Sequence, residues 1–152
     1  MKLFSSIQIK NVNENDLEEI AILEEKIFGI DGFSLELLQK LIHNNIVFVK
    51  IVDKTEKILG ISICIEGVKK LANLVNFIVR KEYQNQGLGT ILLKKTLKEI
   101  RMKKRFKTIT LNVNVDNEIA IKLYNKFGFN IIKKIENYYE SGASSFLMQL
   151  KF

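Results

Sequence analysis

The order of apolar segments and of the glycines and asparagines that punctuate them predicts an α/β (α+β) fold, a mixed β-sheet flanked by helices. Three observations carry this. Two runs rich in β-branched residues, 46–52 and 58–65, stand either side of the polar turn Asp53-Lys54-Thr55-Glu56-Lys57 and read as a hairpin. A strand-like run, 71–80, passes through Gly87-Leu88-Gly89 into a helical pattern. A cleanly alternating run, Thr108–Val115, passes through Asn117 into another helix.

The elements follow in order. Ile7-Gln8-Ile9 reads as a short strand. Asn13 caps a helix from about Glu14 to Phe28, with Leu17, Ile20, Ala21 and Leu23-Glu24 at helical spacing. Residues 29–33 form a loop, and Ser34 caps a second helix, Leu35 to His43. After the hairpin and the strand 71–80, the third helix runs from Gly87 to about Lys104, with Leu88, Ile91, Leu92 and Leu97 toward the sheet. The fourth runs from Asn117 to Phe127 on a single stripe of Ile119, Ala120, Leu123, Tyr124 and Phe127, and Gly128 ends it. Two strands, Asn130–Tyr138 and Ser145–Lys151, close the chain.

Composition narrows the function classes. The 152 residues are 47% hydrophobic and 27% charged, with no proline, no Gly/Ser linker and no repeat. That reads as one domain over residues 1–152 with a true core. No apolar run approaches the roughly 18 residues that span a bilayer. Residues 1–6 lack an apolar stretch long enough for a signal peptide. The expected compartment is the cytoplasm, without membrane association. Cys64 is the only cysteine and sits in a strand-like run, so it reads as a buried, inert side chain. His43 is the only histidine and reads as solvated near a helix end. No metal centre is expected. The net charge of +7 suits an anionic partner, although a lysine-rich composition alone produces the same sign.

The segment from Ile78 to Thr90 joins a strand to a helix. Glycines at 87 and 89 let the backbone pass close to a ligand. The first N–H groups of the new helix have no helical partner, and with the helix dipole they make an anion site suited to a pyrophosphate. The spacing fits neither the dinucleotide fingerprint, since position 92 is Leu, nor a P-loop, since no Gly-Lys-Ser/Thr follows. Downstream, Asn117 and Tyr124 lie seven residues apart, two helical turns, and share a face.

Gln84-x-x-Gly87-x-Gly89 between a strand and a helix resembles the acyl-CoA loop of the GNAT acetyltransferase superfamily. Asn117-x-x-Ala120-x-x-x-Tyr124, followed by Gly128-Phe129, resembles its second signature. The subfamily that the chain most resembles is that of the ribosomal-protein-alanine and archaeal protein N-terminal acetyltransferases, to which the loop Phe28–Ser34 and the turn Tyr138-Tyr139-Glu140-Ser141-Gly142 are also similar. The resemblance implies a mainly antiparallel sheet of six to seven strands, four helices, and a V-shaped splay between the fourth and fifth strands. It implies acetyl-CoA as cofactor, held by the backbone near Phe77, Ile78 and Val79, by Gln84, Asn85, Gln86, Gly87, Leu88, Gly89 and Thr90, and by Asn117, Ala120 and Tyr124. It implies direct transfer of the acetyl group to a peptide or protein N-terminus, with Tyr124 as general acid for the leaving thiolate. Phe28, Phe33, Asn73, Asn112, Tyr138 and Tyr139 are the expected substrate-binding residues. Related enzymes often carry Glu at the positions of Asn73 and Asn112, so the general base departs from the pattern. An α-amine, with a pKa near 7.7–8.0, needs a base less than a lysine does. A small-molecule amine such as a polyamine, aminoglycoside or amino acid is the alternative substrate.

Lys94 to Lys107 holds eight basic residues and one acid. It reads as a solvated helix face, as a contact for the 3′-phosphate of coenzyme A, or as a contact for ribosomal RNA, with ribosome association as a possible consequence. A non-catalytic RNA-binding domain is the rival class, but the chain lacks the interleaved aromatic motif of RNA-binding sheets. A monomer or homodimer is expected.

Overall fold

The computed structural model describes residues 6–152; residues 1–5, which enter the signal-peptide reading, lie outside the described residues. Seven strands form one sheet in the order β1-β2-β3-β4-β5-β7-β6. They are β1 (Gln8–Asn11), β2 (Val47–Val52), β3 (Ile58–Glu66), β4 (Ala72–Val79), β5 (Thr108–Asn114), β6 (Asn130–Ile135) and β7 (Ser145–Lys151). The helices are α1 (Leu17–Phe28), α2 (Leu35–Leu41), α3 (Leu88–Met102) and α4 (Glu118–Lys126). No helix among the described residues is long and apolar enough to cross a membrane.

Every neighbouring pair of strands in the sheet is antiparallel except β4 with β5, which is parallel, as the expected architecture requires. The β4–β5 ladder is short: Ala72↔Ile109, Asn73↔Thr110 and Leu74↔Leu111. Beyond Leu74 and Leu111 the two strands separate, and this is the splay. A bulge lies where it starts, because Ile63 pairs with Asn76 while Cys64 pairs with Leu74, leaving Val75 extra. The bulge switches the faces of β4. Ala72 and Leu74 before it, and Phe77 and Val79 after it, pack with α3 and α4. Val75 and Ile78 pack instead with α1 and α2.

The two apolar clusters follow from sequence periodicity. Leu88, Leu92, Leu93, Leu97 and Ile100 of α3 cover one face of the sheet, and Leu17, Ile20, Leu23, Leu38 and Leu41 of α1 and α2 cover the other. Local rules set the helix starts. Asn13 closes a capping box with Asp16, but the first turn is a 3-10 turn, Glu14–Asp16, so α1 proper begins at Leu17. Ser34 caps α2 through the Leu37 N–H, 3.1 Å away, and the helix ends at Leu41, short of His43. His43 is exposed, with Nε2 3.2 Å from Glu14. Cys64 is fully buried, and burial pushes its thiol up to about 12. The sixth strand stops at Ile135 rather than continuing to Tyr138. Asn137 takes φ 51°, which turns the chain out of the sheet and starts the loop 136–144.

Candidate active site

Two clefts open along the gap between β4 and β5 and meet at Phe77 and Asn117, which line both. The first is lined by Phe28 at the end of α1, by Asp31 and Phe33 of the α1–α2 loop, by Leu74, Val75 and Asn76 of β4, by Asn112, Val113 and Asn114 of β5, and by Tyr124 and Tyr139. The second is lined by Val79, Gln84, Asn85 and Gly89 on one side and by Ile119, Ala120 and Leu123 of α4 on the other.

The second cleft ends at the start of α3. Asn85 (φ 62°) and Gly87 (φ 84°) both adopt the left-handed conformation that reverses the chain into the helix. No side chain caps α3 among the described residues. Helix geometry therefore leaves the N–H groups of Leu88, Gly89 and Thr90 without intrahelical partners. The side chains of Gln86, Leu88 and Thr90 do not line the cleft: Leu88 is fully buried, and Gln86 donates to the Glu82 carbonyl at 3.3 Å. Gln84 Nε2 donates to the Val79 carbonyl at 3.0 Å and fixes the loop against β4.

Strand alternation decides which backbone groups face the gap. The Arg80 N–H reaches the Leu59 carbonyl at 2.8 Å, so the N–H groups of Ile78 and Asn76 also turn toward β3. Those of Phe77 and Val79 turn toward the gap. Asn76 Oδ1 accepts from the Phe77 N–H at 2.9 Å. Of the three expected contacts on β4, Ile78 is the one whose backbone and side chain both face away.

Tyr124 is 5% exposed. Its ring sits edge-on to Phe77 and Phe129, with centroids at 6.0 and 5.7 Å. Burial, with a smaller contribution from Tyr139, pushes its phenol above the usual tyrosine range. Asn117 Oδ1 accepts from the Ala120 N–H at 3.2 Å as the α4 cap. Asn112 Oδ1 accepts from Ser145 Oγ at 3.0 Å, which leaves its amide N–H₂ for the cleft. Asn73 pairs with Ile65 and Thr110 in the closed part of the sheet and does not line the cleft. Tyr138 stacks edge-on against Tyr139 at 4.9 Å and supports it from outside. Tyr139 itself lines the cleft, and burial beside Tyr138 and Asp31 pushes it up to about 12.

Two features here were not anticipated from the sequence. The first is a clasp. Asp31 Oδ1 accepts from the Ser141 N–H at 2.9 Å and Oδ2 from Ser141 Oγ at 2.6 Å. These bonds, between residues 110 positions apart, join the α1–α2 loop to the β6–β7 loop beside the first cleft. Among the described residues, Asp31 is the one carboxylate that lines it.

The second feature is a buried hub at Glu24, which is 0% exposed. Its carboxylate accepts from Asn76 Nδ2 at 2.7 and 2.6 Å and from the Phe33 N–H at 2.9 Å. It thereby ties α1 to the β4 bulge and to the loop carrying Phe33. Gly32 permits the approach, since a Cβ there would stand 2.6 Å from the Glu24 carbonyl oxygen. The signal for Glu24 was a carboxylate set in the apolar stripe of α1, one turn before Phe28. Burial raises its pKa from 4.5 to about 7, against the lowering effect of the Phe33 and Asn76 hydrogen bonds. A raised carboxyl pKa stabilises the fold most below pH 4.5, and that contribution fades as pH rises to about 7. The parent protein should therefore lose roughly 2–3 kcal/mol relative to Glu24→Gln between pH 4.5 and 7.5. Urea unfolding of both across this range measures it, and parallel curves would refute the assignment.

The acetyltransferase (GNAT) family model matches residues 15–129, well over half of the sequence, and the chain belongs to that family. An N-alpha-acetyltransferase of Sulfurisphaera tokodaii is 34% identical over 79 residues, 52% of this chain and 47% of that protein. The matched stretch thus spans about half the length of that archaeal relative. N-alpha-acetyltransferase 30 of Schizosaccharomyces pombe is 27% identical over 134 residues, covering 86% of this chain and 88% of that one. The solved ribosomal-protein-S18-alanine N-acetyltransferase from Escherichia coli superposes with a TM-score of 0.80 at 26% identity, over 95% of this chain and 93% of that chain.

Proposed function

We propose that residues 1–152 form a single acetyl-CoA-dependent N-acetyltransferase domain that acts in the cytoplasm on the α-amine of a peptide or protein. The observation that carries this is the meeting of the two clefts at Phe77 and Asn117: one leads to the anion-binding end of α3, the other to a slot bridged by the Asp31–Ser141 clasp. The names of the relatives point to the same substrate class.

The residues present fit the cofactor. Three unpaired N–H groups at the start of α3 suit a pyrophosphate, and the gap beyond Leu74 and Leu111 suits an extended pantetheine arm. Bound acetyl-CoA supplies the acyl group as an activated thioester. The gap-facing N–H of Phe77, at the junction of the two clefts and beside Tyr124, would be the donor for the thioester carbonyl once released by Asn76, and that of Val79 would hold the arm nearer the phosphate loop. Tyr124 keeps its proton well beyond neutral pH. Moving that proton fully onto a thiolate of pKa about 8.5 is uphill, so its role is to donate a hydrogen bond to the leaving sulfur. The Asn112 amide, oriented by Ser145, would order a water that relays the substrate proton to bulk solvent.

An α-amine suits a site in which the β-strand positions expected to carry the base hold asparagines. The test is an acetyl-CoA assay over short peptides with varied N-termini, with spermidine and an aminoglycoside as competitors. We expect peptide turnover, with kcat/KM rising with pH to a plateau above about pH 8 as the substrate amine deprotonates, and an inflection that moves with the pKa of that amine. Turnover of spermidine or the aminoglycoside with no peptide acetylated would replace the protein substrate with a small-molecule amine. Ribosome association belongs to the same reading, because a nascent N-terminus is presented there.

A further inference from the structure

The positive charge of the chain is concentrated at one end of the molecule. Arg101, Lys103, Lys104, Arg105 and Lys107 follow one another from the last turn of α3 to the start of β5, and all are exposed. Other elements bring more cations to the same place. Lys151 pairs with Thr108 at the end of β7, and the Phe152 N–H donates to the Lys107 carbonyl at 2.9 Å. Arg105 reaches Glu66 at 3.2 Å, at the end of β3, and the turn leaving that strand exposes Lys69 and Lys70. Both of these lysines take left-handed backbone conformations, φ 56° and 58°.

Among the described residues, Glu66 is the one carboxylate that ion-pairs with any of these eight cations, and Glu99, one turn before Lys103, is paired instead with Lys95. The excess of seven equals the net charge of the whole chain, +7; the other sixteen basic and sixteen acidic residues, from totals of 24 and 17, cancel. A composition bias would scatter lysines over the surface. Here the excess sits on one patch.

The placement excludes the cofactor as the anion. α3 has 15 residues, a length of about 22 Å, and the phosphate loop is at its other end. The patch lies at the closed end of the β4–β5 ladder, whereas the clefts open beyond the other end of that ladder, so a partner docked here leaves them free. The apolar side of α3 is spent on the core, so this helix has no apolar face left for insertion into a lipid surface. Two guanidinium groups lie over aromatic rings, Arg101 over Phe152 at 4.7 Å and Arg105 over Phe106 at 4.3 Å. Stacking holds their planar donor forks in place for bidentate contact with phosphate oxygens.

We propose that this patch is a docking surface for structured RNA, which holds the enzyme on the phosphate backbone of a ribosome while the clefts face the emerging N-terminus. The partner rests on the protein-substrate reading above; the binding experiment does not. Fluorescence anisotropy with a labelled ribosomal RNA hairpin, from 50 to 200 mM salt, measures the interaction. We expect binding that weakens steeply with salt, by a log–log slope of about −0.7 to −0.9 per phosphate neutralised. The triple variant Lys103→Glu/Lys104→Glu/Arg105→Glu should bind at least about 30-fold more weakly at 50 mM salt, with a slope shallower by about 2–3. Its rate on free peptide should match that of the parent, which shows the fold intact. Undiminished RNA binding by the variant, or no binding by the parent at 50 mM salt, overturns the proposal. Tighter binding of the parent to phosphatidylserine vesicles than to the hairpin replaces RNA with a lipid surface. Absence of peptide turnover by the parent would instead strike the substrate reading, and it is read separately from the anisotropy.

Discussion

Replacing Tyr124 with Phe should lower kcat by about 10²–10³-fold, the usual loss for one donor to developing negative charge, while leaving acetyl-CoA affinity within about threefold of the parent. The substitution keeps the ring, and with it the edge-on contacts to Phe77 and Phe129 that seat α4 against the sheet. It removes the hydroxyl, the one side-chain O–H on the α4 wall of the first cleft. Before reaction the sulfur is part of a neutral thioester and gains little from a donor. As the bond breaks it becomes a thiolate, and a charge-assisted hydrogen bond then contributes most. The loss should therefore appear in kcat rather than in binding. The phenol is held above its usual pKa of about 10, so the parent should show no loss of activity from Tyr124 ionisation below pH 10. Steady-state kinetics and calorimetric titration with acetyl-CoA measure the two quantities. An unchanged kcat would make Tyr124 a packing residue only.

Gly87→Glu should weaken acetyl-CoA binding by at least about 100-fold and leave the fold standing. At φ 84° a side chain carries a strain of roughly 1 kcal/mol. A carboxylate beside the first N–H groups of α3 recovers part of that, because a negative charge is favourable there. The same carboxylate occupies the place a pyrophosphate needs and repels it. Gly87→Ala separates the two effects: it carries the strain without the charge and should lose only a few-fold in affinity. Thermal unfolding shows whether each variant is folded, and calorimetry reads the affinity. Parent-like binding by a folded Gly87→Glu protein would place the anion site elsewhere.

Much of this site was legible locally. The helix caps Asn13, Ser34 and Asn117, the left-handed Gly87 and the stripe that brings Tyr124 under Asn117 depend on residues within about two turns of each other. Short-range sterics and hydrogen bonding dictate such features, so residue order suffices to read them. The strand-like run of β4 and the clean alternation of β5 likewise marked both strands that bound the gap.

What the sequence determined by itself is therefore the set of elements, the two motifs that line the clefts and the family they specify. The tertiary structure decided the rest, because it depends on contacts between residues far apart in the chain. The bulge at Val75 is visible only once β3 and β4 are paired, and it turns Phe77 toward the gap and Ile78 away. Asn73 and Asn112 look equivalent as strand asparagines, yet the ladder holds the first, half-buried, between paired strands away from the gap and leaves the second at the cleft. Glu24 reads as a misplaced charge on an apolar stripe until Asn76, 52 residues away, satisfies it. Asp31 and Ser141 find each other across 110 residues. Folding offsets the desolvation of these polar groups with hydrogen bonds that exist only in the assembled molecule, and for that reason no local pattern announces them.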